Sequence, residues 1–375
     1  LGEFVKNIRG NFVLEGKTFR FIGANMYEIA DVEPQVTKAA IRDADSQGFR
    51  VLRFWLFENR QVKEQLSRLN IICDEAGRYG IKLIISLADK WGYLQNYRTD
   101  EKWYESGYKG GYLDYVKRIV SGAKHRREIM IWELINEPMT GSFETFYDFA
   151  KHVSEEIKTV NENHLVSIGT VGGIGDKFGG YFSIFKRSNF EKIYNLPSLD
   201  AVSLHDYSYD SGIFERFDVL NRLNGNYRTA AIFEKINELL CKFFNKIDES
   251  YLKRGILIYP PLMLRQIWNS FNKKNIEFAK NINKPVYIGE AGFKRNSRRN
   301  RLKILDIDIG NKFAIGVSGY VLWSFESQGC SNDGHGYGFG LEDGFGEVVK
   351  KWNDYLNQSL PEKPGSQTDG EEEKF

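Results

Sequence analysis

The order of apolar runs in this sequence predicts an α/β fold, a (β/α)8 barrel with an inserted helical region after its sixth strand. Three observations carry that expectation. Short runs rich in β-branched and aromatic residues alternate with segments of helical period, an order that demands a parallel sheet with helices outside it. The runs are almost continuously apolar, as in strands covered on both faces. There are eight of them, the number that closes such a sheet into a barrel.

The candidate strands are Phe19 to Met26, Val51 to Phe57, Ile81 to Ala88, Ile129 to Ile135, Leu165 to Thr170, Ala201 to Tyr207, Val286 to Glu290 and Gly319 to Phe325. Between them, helical period marks Val36 to Gln47, Val62 to Tyr79, Tyr112 to His125, Phe143 to Val160, Phe271 to Asn281, Arg301 to Ala314 and Val348 to Leu356. Gly48 and Gly80 stand where helices end on a left-handed residue. Successive strands lie about 30 to 45 residues apart, one strand and one helix each. The interval from Tyr207 to Val286 is roughly double, with helical stretches near Thr229 to Phe244 and Leu262 to Phe278 and a Tyr259-Pro260-Pro261 turn. Residues 208–282 therefore read as an insertion on the face where strand-to-helix loops emerge.

At the N-terminus, Asn11 to Leu14 and Lys17 to Phe19 flank Glu15-Gly16 as a hairpin that could close the bottom of the barrel. Ser359 to Phe375 is rich in Pro, Gly and acid and reads as a disordered tail or linker. A single domain over residues 1–358 is expected.

Composition narrows the partner. With 52 Lys+Arg against 50 Asp+Glu, no whole-molecule field would recruit nucleic acid or an anionic membrane, so a neutral ligand fits best. Aromatic residues make up 14% of the chain, and flat aromatic faces can grip the C–H faces of sugar rings as well as fill a core. Cys73, Cys241 and Cys330 are far apart and odd in number, and read as free thiols. Neither a signal peptide nor a run of about 20 apolar residues appears.

In a barrel of this type the reacting groups sit at the C-terminal ends of strands. The polar or aromatic residues there are Asn25, Arg53, Asp89, Trp91, Asn136, Glu137, His205, Tyr207, Glu290 and Trp323. Glu137 and Glu290 end the fourth and seventh strands and would face each other across the mouth. Two facing carboxyl groups are the minimal machinery for glycoside cleavage, one protonating the leaving oxygen while the other attacks or activates water. Arg53 is the natural partner of an ionised Glu290. Glu133 shares a strand face with Glu137 but lies about 13 Å further back, where a structural ion pair is expected. No metal or cofactor is expected, because only His205 of the five histidines ends a strand.

Trp132-Glu133-Leu134-Ile135-Asn136-Glu137-Pro138 and Ile288-Gly289-Glu290-Ala291-Gly292 resemble the two signature segments of glycoside hydrolase family 5, whose members are retaining enzymes on a TIM barrel. Val51-Leu52-Arg53, His205-Asp206-Tyr207 and Tyr320-Val321-Leu322-Trp323 resemble the same family, in its order, over roughly Gly16 to Trp352. The resemblance implies that Glu137 is the acid/base and Glu290 the nucleophile. It also implies that Asn136 binds the sugar 2-hydroxyl, that Tyr207 and Arg53 hold the nucleophile, that His205 lies on the acid/base side and that Trp323 forms a platform under the ring. The two carboxyl groups should then stand about 5 to 5.5 Å apart.

Within the family, Phe21 to Tyr27, Arg53-Phe54-Trp55 and the strand leading to Trp91 resemble the endo-β-1,4-mannanases, whereas Asp89-Lys90-Trp91 stands where those enzymes usually show Asn-Asn-Trp. β-1,4-Linked mannan or glucomannan is the expected substrate. A β-1,4-endoglucanase, a chain-end β-mannosidase and a silent carbohydrate-binding barrel stay open as alternatives, and a monomeric, secreted protein is expected from the substrate class alone. Trp91, Tyr93, Tyr97, Trp103 and Tyr104 read as sugar-stacking positions, and Gly329 to Gly340, with Asp333, His335 and Tyr337, as a rim loop.

Overall fold

The computed structural model describes residues 2–92, 100–172, 186–207, 272–293, 295, 301–330 and 336–358, with 228, 232 and 235 as isolated positions. Eight parallel strands form one sheet: β4 (Phe21–Asn25), β5 (Val51–Trp55), β6 (Lys82–Ser86), β7 (Ile129–Asn136), β8 (Leu165–Gly169), β9 (Val202–His205), β10 (Val286–Ala291) and β11 (Gly319–Leu322). Every residue in them is buried, which is why the runs lack polar alternation. The hydrogen-bonded order β8-β7-β6-β5-β4-β11-β10-β9 brings β8 and β9 to the two free edges.

Those edges meet, and side chains splice them. The Asp200 and His205 N–H groups donate to the Val166 and Thr170 carbonyls at 2.8 and 2.9 Å. Between these bonds, the Tyr194 hydroxyl donates to the Ile168 carbonyl at 2.8 Å and accepts from the Ser203 N–H at 3.3 Å, while Thr170 Oγ1 donates to the Ser203 carbonyl at 2.6 Å. The barrel is thus closed by groups from both strands and from the helix Arg187–Tyr194 that joins them. That helix escaped the sequence analysis, although Phe190, Ile193 and Tyr194 carry its buried face.

The helices Pro34–Ser46, Val62–Arg78, Gly111–Ala123, Phe143–Val160, Arg301–Ala314 and Phe345–Gln358, together with 272–281, match their periodicity, whereas the short helix Glu101–Glu105 was not expected. Gly48 and Gly80 adopt φ of +87° and +67° just past two of them, where a side chain would be strained. At the other end of the barrel, β1 (Lys6–Ile8), β2 (Asn11–Leu14) and β3 (Lys17–Thr18) form an antiparallel sheet. It delivers Phe12 against Phe21 and Tyr287, with ring centroids 5.9 and 6.3 Å away, and these rings plug the barrel together with Val51, Ile84, Met130 and Val321.

Cys73 and Cys330 are free and buried. No helix among the described residues is long and apolar enough to cross a membrane. Most of the expected insertion at 208–282, the expected tail at 359–375, Cys241, Tyr93, Tyr97, Asp333 and His335 lie outside the described residues.

Replacing Tyr194 by Phe should leave the Ser203 N–H without its acceptor inside the seam. A stability loss of about 1–3 kcal/mol is expected, read by urea unfolding with an unchanged far-ultraviolet spectrum. A loss below about 0.5 kcal/mol would show that the seam does not depend on this hydroxyl.

Candidate active site

The site grows from one side chain. Arg53 points inward from β5 and is wholly buried, so its charge has to be matched by protein groups. Its Nε donates to Glu133 Oε2 at 2.8 Å, Nη1 to Glu290 Oε1 and to Asn25 Oδ1, both at 2.9 Å, and Nη2 to Asn136 Oδ1 at 2.7 Å. The guanidinium also lies over Trp55, 4.4 Å from the ring centroid. Burial works against the arginine charge, but Glu133 and Glu290 override it and hold the group above the usual arginine range. Gly169 makes room for this cluster, since a Cβ there would come within 2.8 Å of Arg53 Nη2 and 3.0 Å of Glu133 Oε2.

Glu133 has the structural role expected of it. Its second oxygen accepts from the Tyr287 hydroxyl at 2.6 Å, so both oxygens face inward to the barrel rather than to the mouth. Glu290, at the end of β10, accepts from Arg53 on Oε1 and from the Tyr207 hydroxyl on Oε2 at 2.9 Å. Glu137 follows β7 with φ of +45°, a left-handed conformation uncommon for a residue with a side chain. Its N–H donates to the Gly169 carbonyl at 2.7 Å. Its Oε2 accepts from the Trp91 indole N–H at 2.9 Å, and its Oε1 lies 2.7 Å from His205 Nδ1.

The two carboxylates therefore meet through the imidazole. An oxygen of Glu137, an oxygen of Glu290 and His205 Nδ1 lie within 4.8 Å of one another, with His205 Nδ1 3.5 Å from Glu290 Oε1. Among the described residues this is the one group whose donor atoms could also hold a metal ion. A metal would have to share the Glu290 carboxylate with the guanidinium that already supplies a positive charge there.

Asn136 is held on both sides, by Arg53 at its oxygen and by Asp89 Oδ1 at its nitrogen, 3.0 Å away. The other Asp89 oxygen accepts from the Tyr27 hydroxyl at 3.2 Å. Burial pushes the Asp89 carboxyl up to about 7, against the Asn136 amide and the Trp91 N–H that favour its charge, and the charges of Glu137 and Glu290 add to the rise. Trp323 packs edge-on to Trp55 and Tyr27, with centroids 5.7 and 6.2 Å away.

The residues expected to act or to bind sugar, Arg53, Trp91, Asn136, Glu137, His205, Tyr207, Glu290 and Trp323, thus lie in or beside one cluster. Part of the aromatic loop does not join them. Trp103 and Tyr104 are buried against Tyr112, Phe146 and Phe149, so they belong to the core and cannot stack on a sugar. Tyr337 packs against Tyr207 at 5.3 Å and backs the site rather than its rim. Sequence reasoning also missed the support behind His205 and Tyr207. Asp206 turns away from the mouth to an ion pair with buried Lys312 and accepts from Asn272 Nδ2 at 2.7 Å. A lysine on the inward face of the helix Arg301–Ala314 was the available signal.

The family model for Cellulase (glycosyl hydrolase family 5) matches residues 14–326. A probable mannan endo-1,4-beta-mannosidase F of Neosartorya fischeri is 29% identical over 251 residues, covering 56% of this chain and 55% of the relative. Mannan endo-1,4-beta-mannosidase A of Aspergillus aculeatus is 28% identical, covering 54% of this chain and 65% of the relative. The matches thus span between about half and two thirds of the relatives' own length. Among solved structures, the endo-1,4-beta-mannanase of Rhizomucor miehei superposes with a TM-score of 0.68 at 19% identity, covering 95% of this chain and all of that one. Thermotoga maritima Cel5A in complex with mannotriose gives a TM-score of 0.55 at 17% identity, covering 88% of this chain and 97% of that one. At such identities the likeness shows the fold, a (β/α)8 barrel.

Two outcomes follow from the buried charges. Arg53→Ala removes the buried cation that Glu133 and Glu290 share, and should cost about 3–5 kcal/mol by urea unfolding near neutral pH. A loss under about 1 kcal/mol would mean that the carboxylates do not need this cation. Asp89 has the opposite sign. A carboxyl raised from 3.8 to about 7 binds its proton more tightly in the folded state, so its contribution is present in full below about 4 and is lost as pH rises through about 7. The stability of Asp89→Asn relative to the parent should therefore climb between about pH 4 and pH 8, by up to the order of 4 kcal/mol. A flat difference across that range would contradict the raised carboxyl.

Proposed function

We propose, starting from the fact that the chain belongs to glycosyl hydrolase family 5, that it hydrolyses β-1,4-linked mannan or glucomannan by double displacement with retention of configuration. The observation that carries this reading is the pair Glu137 and Glu290, buried at the barrel mouth with oxygens within 4.8 Å of each other. That spacing favours direct attack by one carboxylate over a mechanism that seats a water between them, which needs about 6.5–9.5 Å.

In this reading Glu290 Oε attacks the anomeric carbon while the bond to the leaving oxygen breaks and Glu137 gives that oxygen its proton. Arg53 and Tyr207 orient the nucleophile before attack. A water then enters, Glu137 takes its proton, and the resulting hydroxide displaces Glu290 from the sugar. His205 and Trp91 fix the Glu137 carboxyl for both steps. Asn136 donates to the 2-hydroxyl, and Trp323 offers its face to the ring.

The mannan preference is supported by the relatives, which are named as mannan endo-1,4-beta-mannosidases. A β-1,4-glucanase is the second reading, since Thermotoga maritima Cel5A is described with cellobiose as well as with mannotriose. A polysaccharide ligand, a monomeric enzyme and secretion from the cell complete the proposal. A silent sugar-binding barrel accounts poorly for two intact carboxylates with separate support.

The deciding experiment is reducing-end release from linear β-1,4-mannan, glucomannan and β-1,4-glucan, with Glu290→Ala as blank. Release is expected to be fastest on mannan or glucomannan, to fall by about 10⁴-fold or more in Glu290→Ala, and to return in part on an activated substrate with azide. Preference for glucan would move the assignment to the second reading, and full activity in Glu290→Ala would remove Glu290 as nucleophile. EDTA should leave the rate unchanged.

A further inference from the structure

We propose that Asp89 is a positioning residue: its buried carboxyl group locks the Asn136 side-chain amide so that one N–H is presented to the hydroxyl beside the anomeric carbon of the bound sugar. The inference rests on the glycosidase reading above and extends it to a residue beyond the groups that touch the sugar.

The lock is built from backbone first. Past the end of β6, Asp89 pairs with Asn136 as a parallel bridge, the Asn136 N–H donates to the Ala88 carbonyl at 2.8 Å and the Lys90 N–H to the Asn136 carbonyl at 3.1 Å. The two side chains therefore start from fixed neighbouring positions. Asp89 Oδ1 then accepts from Asn136 Nδ2, and Asp89 Oδ2 from Tyr27. Asp89 is 1% exposed, so it is not placed to touch a ligand itself.

An amide can sit in two orientations that differ only by exchange of oxygen and nitrogen. Here Arg53 Nη2 offers a donor 2.7 Å from one end and Asp89 an acceptor 3.0 Å from the other. A flip would set NH2 against a guanidinium and oxygen against a carboxyl oxygen, losing the charge-assisted bond from Arg53 and the bond to Asp89 at once. The orientation is thereby decided before any ligand arrives, and the second hydrogen of Nδ2 has no acceptor among the described residues. A residue without an acceptor at position 89 would leave Arg53 alone to make this choice. The Asp89 side of the amide specifies which hydroxyl chemistry the site rewards: an acceptor oxygen next to the anomeric carbon.

The test compares an aryl β-mannobioside with its analogue lacking the 2-hydroxyl on the ring at the cleavage point. Asp89→Ala should lose about 10- to 100-fold in kcat/KM on the parent glycoside, mostly in kcat, and less than about threefold on the deoxy analogue. Equal losses on both substrates would make Asp89 a packing residue and overturn the proposal. Should the alanine variant fail to fold, the isosteric Asp89→Asn decides. Its amide can turn, so discrimination by the 2-hydroxyl should narrow by about threefold or more, and unchanged discrimination overturns the proposal. Calorimetry in the Glu290→Ala background separates the two readings. If mannobiose binds, the wild-type cleaves nothing, and Asp89→Ala still erases the preference over the deoxy sugar, then the glycosidase reading fails while the role of Asp89 stands. If wild-type cleaves mannan and Asp89→Ala keeps its preference, the reverse holds.

Discussion

The buried guanidinium of Arg53 is the constraint on which the rest of the site depends. It takes its position from β5, but its orientation comes from four acceptors on three other strands: Asn25, Glu133, Asn136 and Glu290. An arginine held only by Glu290 would turn with it, and the nucleophile would have no fixed frame. Glu133 removes that freedom from behind, itself held by Tyr287. A lone charge in this position would cost several kcal/mol, so the second carboxylate is what allows the first to meet a rigid cation. Replacing the pair by apolar residues could give an equally stable barrel, but it would have no site.

The barrel backbone is arranged to permit this density of polar groups. Gly169 gives up a side chain where Arg53, Glu133 and Asn136 converge. The β8 and β9 edges, which do not form a continuous ladder, are joined by Tyr194 and Thr170. That seam lies next to the residues that bear His205, and Asp206 is clamped from outside by Lys312. Apolar rings around Phe12 fill the opposite end of the barrel. The polar groups of the site are thus gathered at one end of the barrel, where most of them bond to one another while His205 Nε2 and Ser203 Oγ are buried without a partner among the described residues, and the apolar remainder of the interior is close-packed.

Much of this arrangement was legible because strand ends are few and their polar residues stand out against apolar runs. Arg53, Asn136, Glu137, His205, Tyr207 and Glu290 could be named that way, and Glu133 could be set apart by its depth along β7. Trp103 and Tyr104 were wrongly read as sugar-stacking positions, because an aromatic residue in a connection reads the same whether it faces solvent or roofs a helix pair. The roles of Asp89 and Lys312 were hidden for a different reason. Each depends on a partner far away in sequence, Asn136 in one case and Asp206 in the other, and a charged residue alone carries no sign of being buried. The helix Arg187–Tyr194 was missed because eight residues offer too few turns for a period to show.

The two carboxylates differ in the kind of group that faces them, and that difference gives the proposed reaction its direction. Glu290 faces a permanent cation and a phenol, whereas Glu137 faces an indole N–H and an imidazole, both neutral when the imidazole carries one proton. Formation of the glycosyl ester removes the negative charge from Glu290, and proton donation creates one on Glu137. The charge has then moved only past one atom, His205 Nδ1, which lies 2.7 Å from one carboxylate and 3.5 Å from the other. Arg53 still has Glu133 to balance it, and Trp91 and His205 are already in place for the new carboxylate. Both charge distributions are served by dipoles that need not move, which is the condition for electrostatic stabilisation without reorganisation.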